Sequence, residues 1–386
     1  MLRLKSPSYV FKKRWKRVLA ACFDALGEVV FWLPKTLAQK SLGEKEVRRI
    51  LVIRIDSLGD GVLTLPAIQF LRKRYPDART DFLVGSAVFE LYSFLYPDAT
   101  IYELEKNWLS EGVGAWGMLS GFFRIAEKLR ENRYDLAVDF RGDLRTILLM
   151  SLARIPIRWG KSGTGGKFLL TRSTANSPAK HEVLENLGLV CENGTVASIE
   201  FPLISVGGTE LASAARWFGE LKGRKKIVIH PGAGYPSKRW EAQKFLELAR
   251  RILERKLGVP IFIGTKTEKD LLGFLEGKLD EGIVDLMGKT SLGELLAVLG
   301  QADLYVGNDS GPSHLAALLG DRLVVIFSGT NDFRKWAPWS PHLKIVNHPV
   351  PCSPCEEKVC PLEEQYCLKD ISVAQVLSAV EEMLGA

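Results

Sequence analysis

Three short clusters gather carboxylates, hydroxyls and cations among glycines, each directly behind an apolar run. The first is Ser57-Leu58-Gly59-Asp60-Gly61, which follows the run RILVIRI at 49–55. Its glycines permit a tight turn and a close backbone approach to a ligand. Asp60 has two readings: a carboxylate placed to take a proton from a hydroxyl, or a cap on the next helix. The second is His230-Pro231-Gly232-Ala233-Gly234, with Ser237-Lys238-Arg239-Trp240 close behind. Small residues after a strand let backbone N–H groups reach an anion, and Lys238 adds positive charge. The spacing is not that of a P-loop, and a surface turn with a solvated Lys-Arg pair is the alternative. The third is Gly307-Asn308-Asp309-Ser310-Gly311-Pro312-Ser313-His314. Pro312 suits the first position of a helix, where free N–H groups and the positive helix end attract an anion. Ser310 adds a hydroxyl, while Asp309 and His314 offer groups that could hold sugar hydroxyls.

Clusters of this kind need strands that end where they begin. From residue 47 the pattern alternates, with strands expected at 49–55, 81–84 and 134–140 and a helix at 62–74 that Pro76 ends. Strand character then fades across 198–223, which contains Pro202, Gly207 and Gly208. It returns with strands at 226–230, 260–264, 304–307 and 323–327, and helices at 242–256, 292–299, 313–319 and 372–384. Such alternation predicts an α/β protein with parallel sheets covered by helices. At 386 residues the chain exceeds what one core usually serves. The expected plan is an extension at 1–46, an α/β domain at 47–205, a linker at 206–222, a second α/β domain at 223–370 and a closing helix at 371–386 that could cross back to the first domain. Open parallel sheets bind ligands beyond the carboxyl ends of their strands, where all three clusters fall.

The net charge of +7 has a local origin. Residues 1–49 hold twelve Lys/Arg against four Asp/Glu, and the rest of the chain has 40 basic and 41 acidic residues. The body is therefore neutral, which argues against nucleic acid as a partner. In the extension, Arg3, Lys5, Lys12, Lys13, Arg14, Lys16 and Arg17 precede the first acid, Asp24. Phe11, Trp15, Val18, Leu19, Cys22, Leu26 and Val30 recur at helical spacing, so a helix here has a greasy and a basic face. Asp24 and Glu28 interrupt the apolar stretch, which is too short for a membrane span and does not fit a signal peptide. Contact of residues 1–40 with an anionic membrane surface is one expectation; an extension packed on the body is the other.

Taken in order, R-x-D-S-L-G-D at 54–60, H-P-G-A-G with K-R-W at 230–240, and N-D-S-G-P-S-H at 308–314 resemble glycosyltransferase family 9. That family contains the ADP-heptose:lipopolysaccharide heptosyltransferases. Thr64-Leu65-Pro66-Ala67, Tyr134-Asp135-Leu136, Gly288-Lys289-Thr290-Ser291-Leu292 and Phe327-Ser328-Gly329-Thr330 extend the resemblance over about residues 48–375. The resemblance implies a GT-B fold of two Rossmann-like domains, with the acceptor on the first and the nucleotide sugar on the second. It implies inverting transfer of heptose from ADP-heptose to a lipid-linked inner-core glycan, with no metal required. By the same resemblance Asp60 is the general base, and Lys238 meets the donor diphosphate. Gly232, Gly234, Ser310 and Gly311 line the phosphates, Asp309 and His314 the sugar, and Glu268 and Thr290 the nucleoside. Arg141 and Arg145, with Arg158, Lys161 and Lys167, are candidates for acidic groups of the acceptor, a solvated basic face being the alternative. The implied location is the cytoplasmic face of the inner membrane. A relative using another nucleotide sugar, and a non-catalytic nucleotide-binding scaffold, are the competing readings.

Four of the six cysteines stand close together as Cys352, Cys355, Cys360 and Cys367. A structural Zn²⁺ site, an iron–sulfur cluster, disulfides and free thiols are all compatible with that spacing. Asn193-Gly194-Thr195 matches a glycosylation sequon, a three-residue pattern common by chance.

Overall fold

The computed structural model describes residues 15, 17–28, 47–104, 115–174, 180–191, 204–218, 221, 223–271 and 281–385. It divides into two compact units, Met1–Ser198 and Ile199–Ala386.

The first unit opens with helix α1 (17–28). There follow β1 (Arg49–Arg54), α2 (Leu58–Arg74), β2 (Arg79–Gly85), α3 (Ser86–Leu95) and β3 (Ile101–Leu104). Then come α4 (Ala115–Glu131), β4 (Leu136–Asp139), α5 (Leu144–Leu152), β5 (Ile157–Lys161), β6 (Arg172–Thr174) and α6 (Glu182–Val190). The strands pair in parallel in the order β3-β2-β1-β4-β5-β6. Ile50, Leu51, Val52 and Ile53 in β1 are all fully buried, as a strand covered by helices on both faces requires.

The second unit runs α7 (Gly208–Phe218), β7 (Lys226–His230), α8 (Ala242–Glu254), β8 (Val259–Phe262), α9 (Lys266–Leu271) and β9 (Val284–Asp285). It continues α10 (Leu292–Leu299), β10 (Leu304–Asn308), α11 (Gly311–Leu318), β11 (Leu323–Phe327) and α12 (Phe333–Trp336). β12 (Leu343–Asn347), α13 (Tyr366–Lys369) and α14 (Val373–Leu384) complete it. Its parallel sheet has the order β12-β11-β10-β7-β8-β9. Counted within each unit, both sheets follow 3-2-1-4-5-6, the doubly wound Rossmann order. The winding reverses between β1 and β4 in one sheet and between β7 and β10 in the other.

Three local features depart from expectation. Helix α2 starts at Leu58 instead of residue 62, because Ser57 and Asp60 cap each other and place Gly59 and Gly61 inside the first turn. The stretch expected as a linker carries α7, which packs on α10; Ser213 Oγ donates to Glu294 at 2.8 Å and Arg216 pairs with the same carboxylate. The closing helix, expected to be able to cross back, lies on its own unit. Val376, Leu377 and Val380 of α14 join one core with Phe245 and Ile252 of α8 and Ile326 of β11. The sequon at 193–195 lies outside the described residues. Among the described residues no helix is long and apolar enough to cross a membrane.

Candidate functional site

In the first unit the loops after β1 and β4 flank the point where the winding reverses. Arg54 ends β1 with its side chain 3% exposed, and its guanidinium is the hub of the cluster. Nη2 donates to Asp60 Oδ1 at 2.8 Å and lies 3.6 Å from Glu182, while Nη1 donates to the Phe140 carbonyl at 2.7 Å. Nε lies 3.3 Å from Asp56. Asp60 Oδ2 accepts from the Ser57 hydroxyl at 2.6 Å and from the Ser57 N–H at 3.2 Å. The capping reading of Asp60 holds, and its carboxylate, 19% exposed, also sits at a strand end beside a buried cation.

Asp56 neighbours it and pairs with Arg141. Burial first, then the Asp60 and Glu182 carboxylates, push the Asp56 carboxyl above its ordinary value against the pull of Arg54 and Arg141. At the end of β4, Asp139 is buried and accepts from the N–H groups of Arg141 and Gly142 at 2.9 and 3.2 Å and from Thr146 Oγ1 at 2.6 Å. It thereby folds the loop that presents Arg141. Burial raises its carboxyl to about 6 although these three hydrogen bonds oppose the shift.

The basic residues expected to meet an acceptor are mostly engaged. Arg145 is held side-on by Asp143 through bonds of 2.8 and 2.7 Å. Lys161 is buried, donating to Glu182 at 2.6 Å. Arg158 donates to the Leu169 carbonyl at 2.7 Å and to that of Ile155, tying loops together. Lys167 is exposed beside these loops. Arg141, one-third exposed, pairs with Asp56 and lies 3.5 Å from Asp143.

In the second unit the loops after β7, β8 and β10 meet in the same way. His230 ends β7 almost fully buried; its Nδ1 lies 3.0 Å from Ser310 Oγ and its Nε2 lies 3.3 Å from Glu268. Burial disfavours the Glu268 charge, but His230 and the N–H and hydroxyl of Thr265 together hold the carboxyl down to about 2. A Cβ on Gly232 would stand 2.1 Å from Glu268 Oε1, so the Glu268 carboxylate would have to move. A Cβ on Gly307 would meet the His230 carbonyl at 2.8 Å. Gly234 is exposed with nothing within 4 Å of its Cβ position. Lys238 Nζ lies 2.7 Å from Asp309, which also accepts from Asn331 at 3.0 Å and stands 4.0 Å from His314. Ser310 and Gly311 start α11, with Pro312 in its first turn. Thr290 is half-buried just ahead of Ser291, the cap of α10.

Asn308 does work that sequence reasoning did not assign. Its amide donates to the carbonyls of Pro231 and Gly232 at 2.8 and 3.3 Å and accepts from Trp240 N–H at 3.0 Å. It pins the loop after β7 to the end of β10. Arg54, Asp56, Glu182, Asp139 and His230 were likewise given no role. An arginine closing an apolar strand was the visible signal for Arg54; Glu182 stands so far along the chain that nothing pointed to it.

The cysteine stretch was compatible with a metal site, an iron–sulfur cluster, disulfides or free thiols. Cys352, Cys355, Cys360 and Cys367 are free thiols, and among the described residues no three His, Cys, Asp or Glu side chains converge as a metal-binding set. Cys352 is exposed whereas Cys367 is buried among α14 and its neighbours, so the four sulfurs face different surroundings.

A family model described as glycosyltransferase family 9 (heptosyltransferase) matches residues 122–366. The chain is 32% identical to lipooligosaccharide heptosyltransferase 2 of Campylobacter jejuni, covering 84% of this chain and 96% of that one. Among solved structures it resembles E. coli ADP-heptose lps heptosyltransferase II, with a TM-score of 0.67, 23% identity and coverage of 87% and 98%. E. coli heptosyltransferase WaaC with ADP-2-deoxy-2-fluoro heptose matches with a TM-score of 0.65, 18% identity and coverage of 86% and 99%. These likenesses agree with the two doubly wound sheets.

Proposed function

The chain belongs to glycosyltransferase family 9, and from that premise we propose that it transfers heptose from ADP-heptose to the inner core of a lipopolysaccharide precursor. The relatives' names support the donor sugar and the glycan. Inversion at the anomeric carbon and independence from metal are part of the proposal.

In this reading the acceptor binds the first unit and the donor the second. Asp60 accepts the proton of the acceptor hydroxyl as its oxygen bonds to the anomeric carbon. The bond from that carbon to the diphosphate oxygen breaks, and ADP leaves with the electron pair. Lys238 and the N–H groups opening α11 meet the charge that grows on the diphosphate. Gly232 and Gly234 let the backbone approach the phosphates, Glu268 and Thr290 hold the nucleoside, and Asp309 and His314 hold the sugar. Arg54 and the start of α2 stabilise the ionised Asp60, which lowers its strength as a base. Asp60 therefore orients the hydroxyl as much as it deprotonates it.

The observation that carries the proposal is the convergence of Lys238, Asp309, Ser310 and His230 at the start of α11, where the second sheet's winding reverses. The enzyme works at the cytoplasmic face of the inner membrane, with residues 1–40 against the anionic surface. A panel of ADP-, GDP- and UDP-sugars, tested by calorimetry with and without EDTA, checks the donor. Selective binding of ADP-heptose that EDTA leaves unchanged supports the reading. Preference for another nucleotide sugar moves the protein to a different glycan.

A further inference from the structure

Helix α1 carries its apolar side on the wrong face for packing. Trp15, Val18, Leu19, Cys22 and Leu26 follow the spacing i, i+3, i+4, i+7, i+11 and so share one side of a helix. That side is exposed: Val18 54%, Leu19 59% and Leu26 67%. The opposite side, with small and polar residues, is the one that docks. Asp24 is buried and accepts from the N–H groups of Gly166 and Lys167 at 2.6 and 3.2 Å. Gly165 and Gly166 adopt positive φ, at 102° and 85°, which turns the backbone toward that carboxylate. Gly27 lies against the Phe168 ring so closely that a Cβ would come within 2.3 Å, and Phe23 meets the same ring edge-on. Phe168 belongs to the first unit's core.

A helix that spends its polar face on the protein and offers its apolar face outward is seated to insert that face elsewhere. We propose that this stripe is an interfacial anchor for an anionic lipid surface, held by Asp24 and Gly27 in one orientation on the first unit. Charge selects the occupant. Arg3, Lys5, Lys12, Lys13, Arg14, Lys16 and Arg17 precede the first acid, so the segment leading into the stripe is purely basic. A second copy of this chain would bring the same charge to the interface and be repelled.

Placement gives the anchor a consequence for the reaction. The turn that receives α1 follows β5, at the carboxyl edge of the sheet, where the loops after β1 and β4 also lie. Thr164 in that turn donates to the Gly142 carbonyl in the loop behind β4 and accepts from the N–H of Leu144, which opens α5. Insertion of the stripe therefore brings the Asp60 edge to the lipid surface, where an amphiphilic acceptor presents its sugar. The inference deepens the reading that residues 1–40 meet a membrane by naming the face and its orientation.

The test is co-flotation of the full chain with phosphatidylcholine vesicles, with and without phosphatidylglycerol. Three variants accompany it: deletion of 1–40, a stripe variant (Trp15→Ser, Val18→Ser, Leu19→Ser, Leu26→Ser), and the milder Leu26→Asp. Circular dichroism and Tm confirm that each variant folds. The parent is expected to bind only the anionic vesicles, and the stripe variant to lose binding tenfold or more, with Leu26→Asp in between. If deletion abolishes binding while both stripe substitutions leave it intact, the membrane reading stands on charge alone and the stripe inference fails. If the parent sediments as a dimer that the stripe variant splits, the stripe inference fails, and if the parent binds neither vesicle, both fail.

Discussion

Asp60 caps α2 and pairs with Arg54, and the proposed reaction gives the same carboxylate a second role. Replacing it with Asn keeps the size, while the change removes the charge that Arg54 neutralises and the proton acceptor. Turnover of Asp60→Asn is expected to fall about 10²–10⁴-fold with donor affinity unchanged, measured by steady-state kinetics and calorimetry. Lys238→Ala should behave oppositely, weakening donor binding most, because its partner Asp309 is then left buried without its cation. Asp139 sets a pH dependence of stability. Its folded value of about 6 lies above the ordinary 3.8, so its proton is held more tightly in the folded chain. That stabilisation is complete below the unfolded value and is lost as pH rises through 6, by roughly 2–3 kcal/mol. Thermal melts should show Tm falling between about pH 4 and 6, and Asp139→Asn should flatten that fall. Glu268 works in the reverse sense: its stabilisation is present above the ordinary 4.5 and disappears only as pH falls through about 2.

At the scale of elements, the glycines and caps decide where the reactive groups point. Ser57→Ala removes one side of the capping box and one anchor of Asp60. A stability loss of about 1 kcal/mol by chemical denaturation is expected, with a larger fall in turnover than that loss explains. Gly232→Ala places a methyl on Glu268 and should abolish donor binding while the chain stays folded. The buried strands β1, β7, β10 and β11 were legible because each is an unbroken apolar run. β6, β9 and β12 were not, since Arg172–Thr174, Val284–Asp285 and Leu343–Asn347 are short, half-buried edge or near-edge strands with mixed residues. The start of α2 was misjudged because Gly59 and Gly61 read as a loop, whereas the Ser57–Asp60 cap outweighs their low helix propensity.

For the whole molecule, two sheets with one strand order place their glycine clusters at equivalent reversal points. That equivalence was visible in the order of motifs, each behind a strand. The buried network around Arg54 was not, because Glu182 and Lys161 reach it through tertiary packing that no local spacing encodes. The chemistry was also easier to see in charge-bearing loops than in Asn308, whose hydrogen bonds look like any turn residue's in sequence. The proposed reaction is transfer of heptose from ADP-heptose to a lipid-linked core glycan. The measurement that tests it most directly is transfer by the purified full chain from ADP-heptose to a Kdo-bearing lipid A precursor, with EDTA present, followed by mass spectrometry. The expected product is an acceptor heavier by one heptose, formed by the parent and nearly lost in Asp60→Asn. No heptosyl product under conditions where ADP-heptose binds, or equal product from parent and Asp60→Asn, would contradict it.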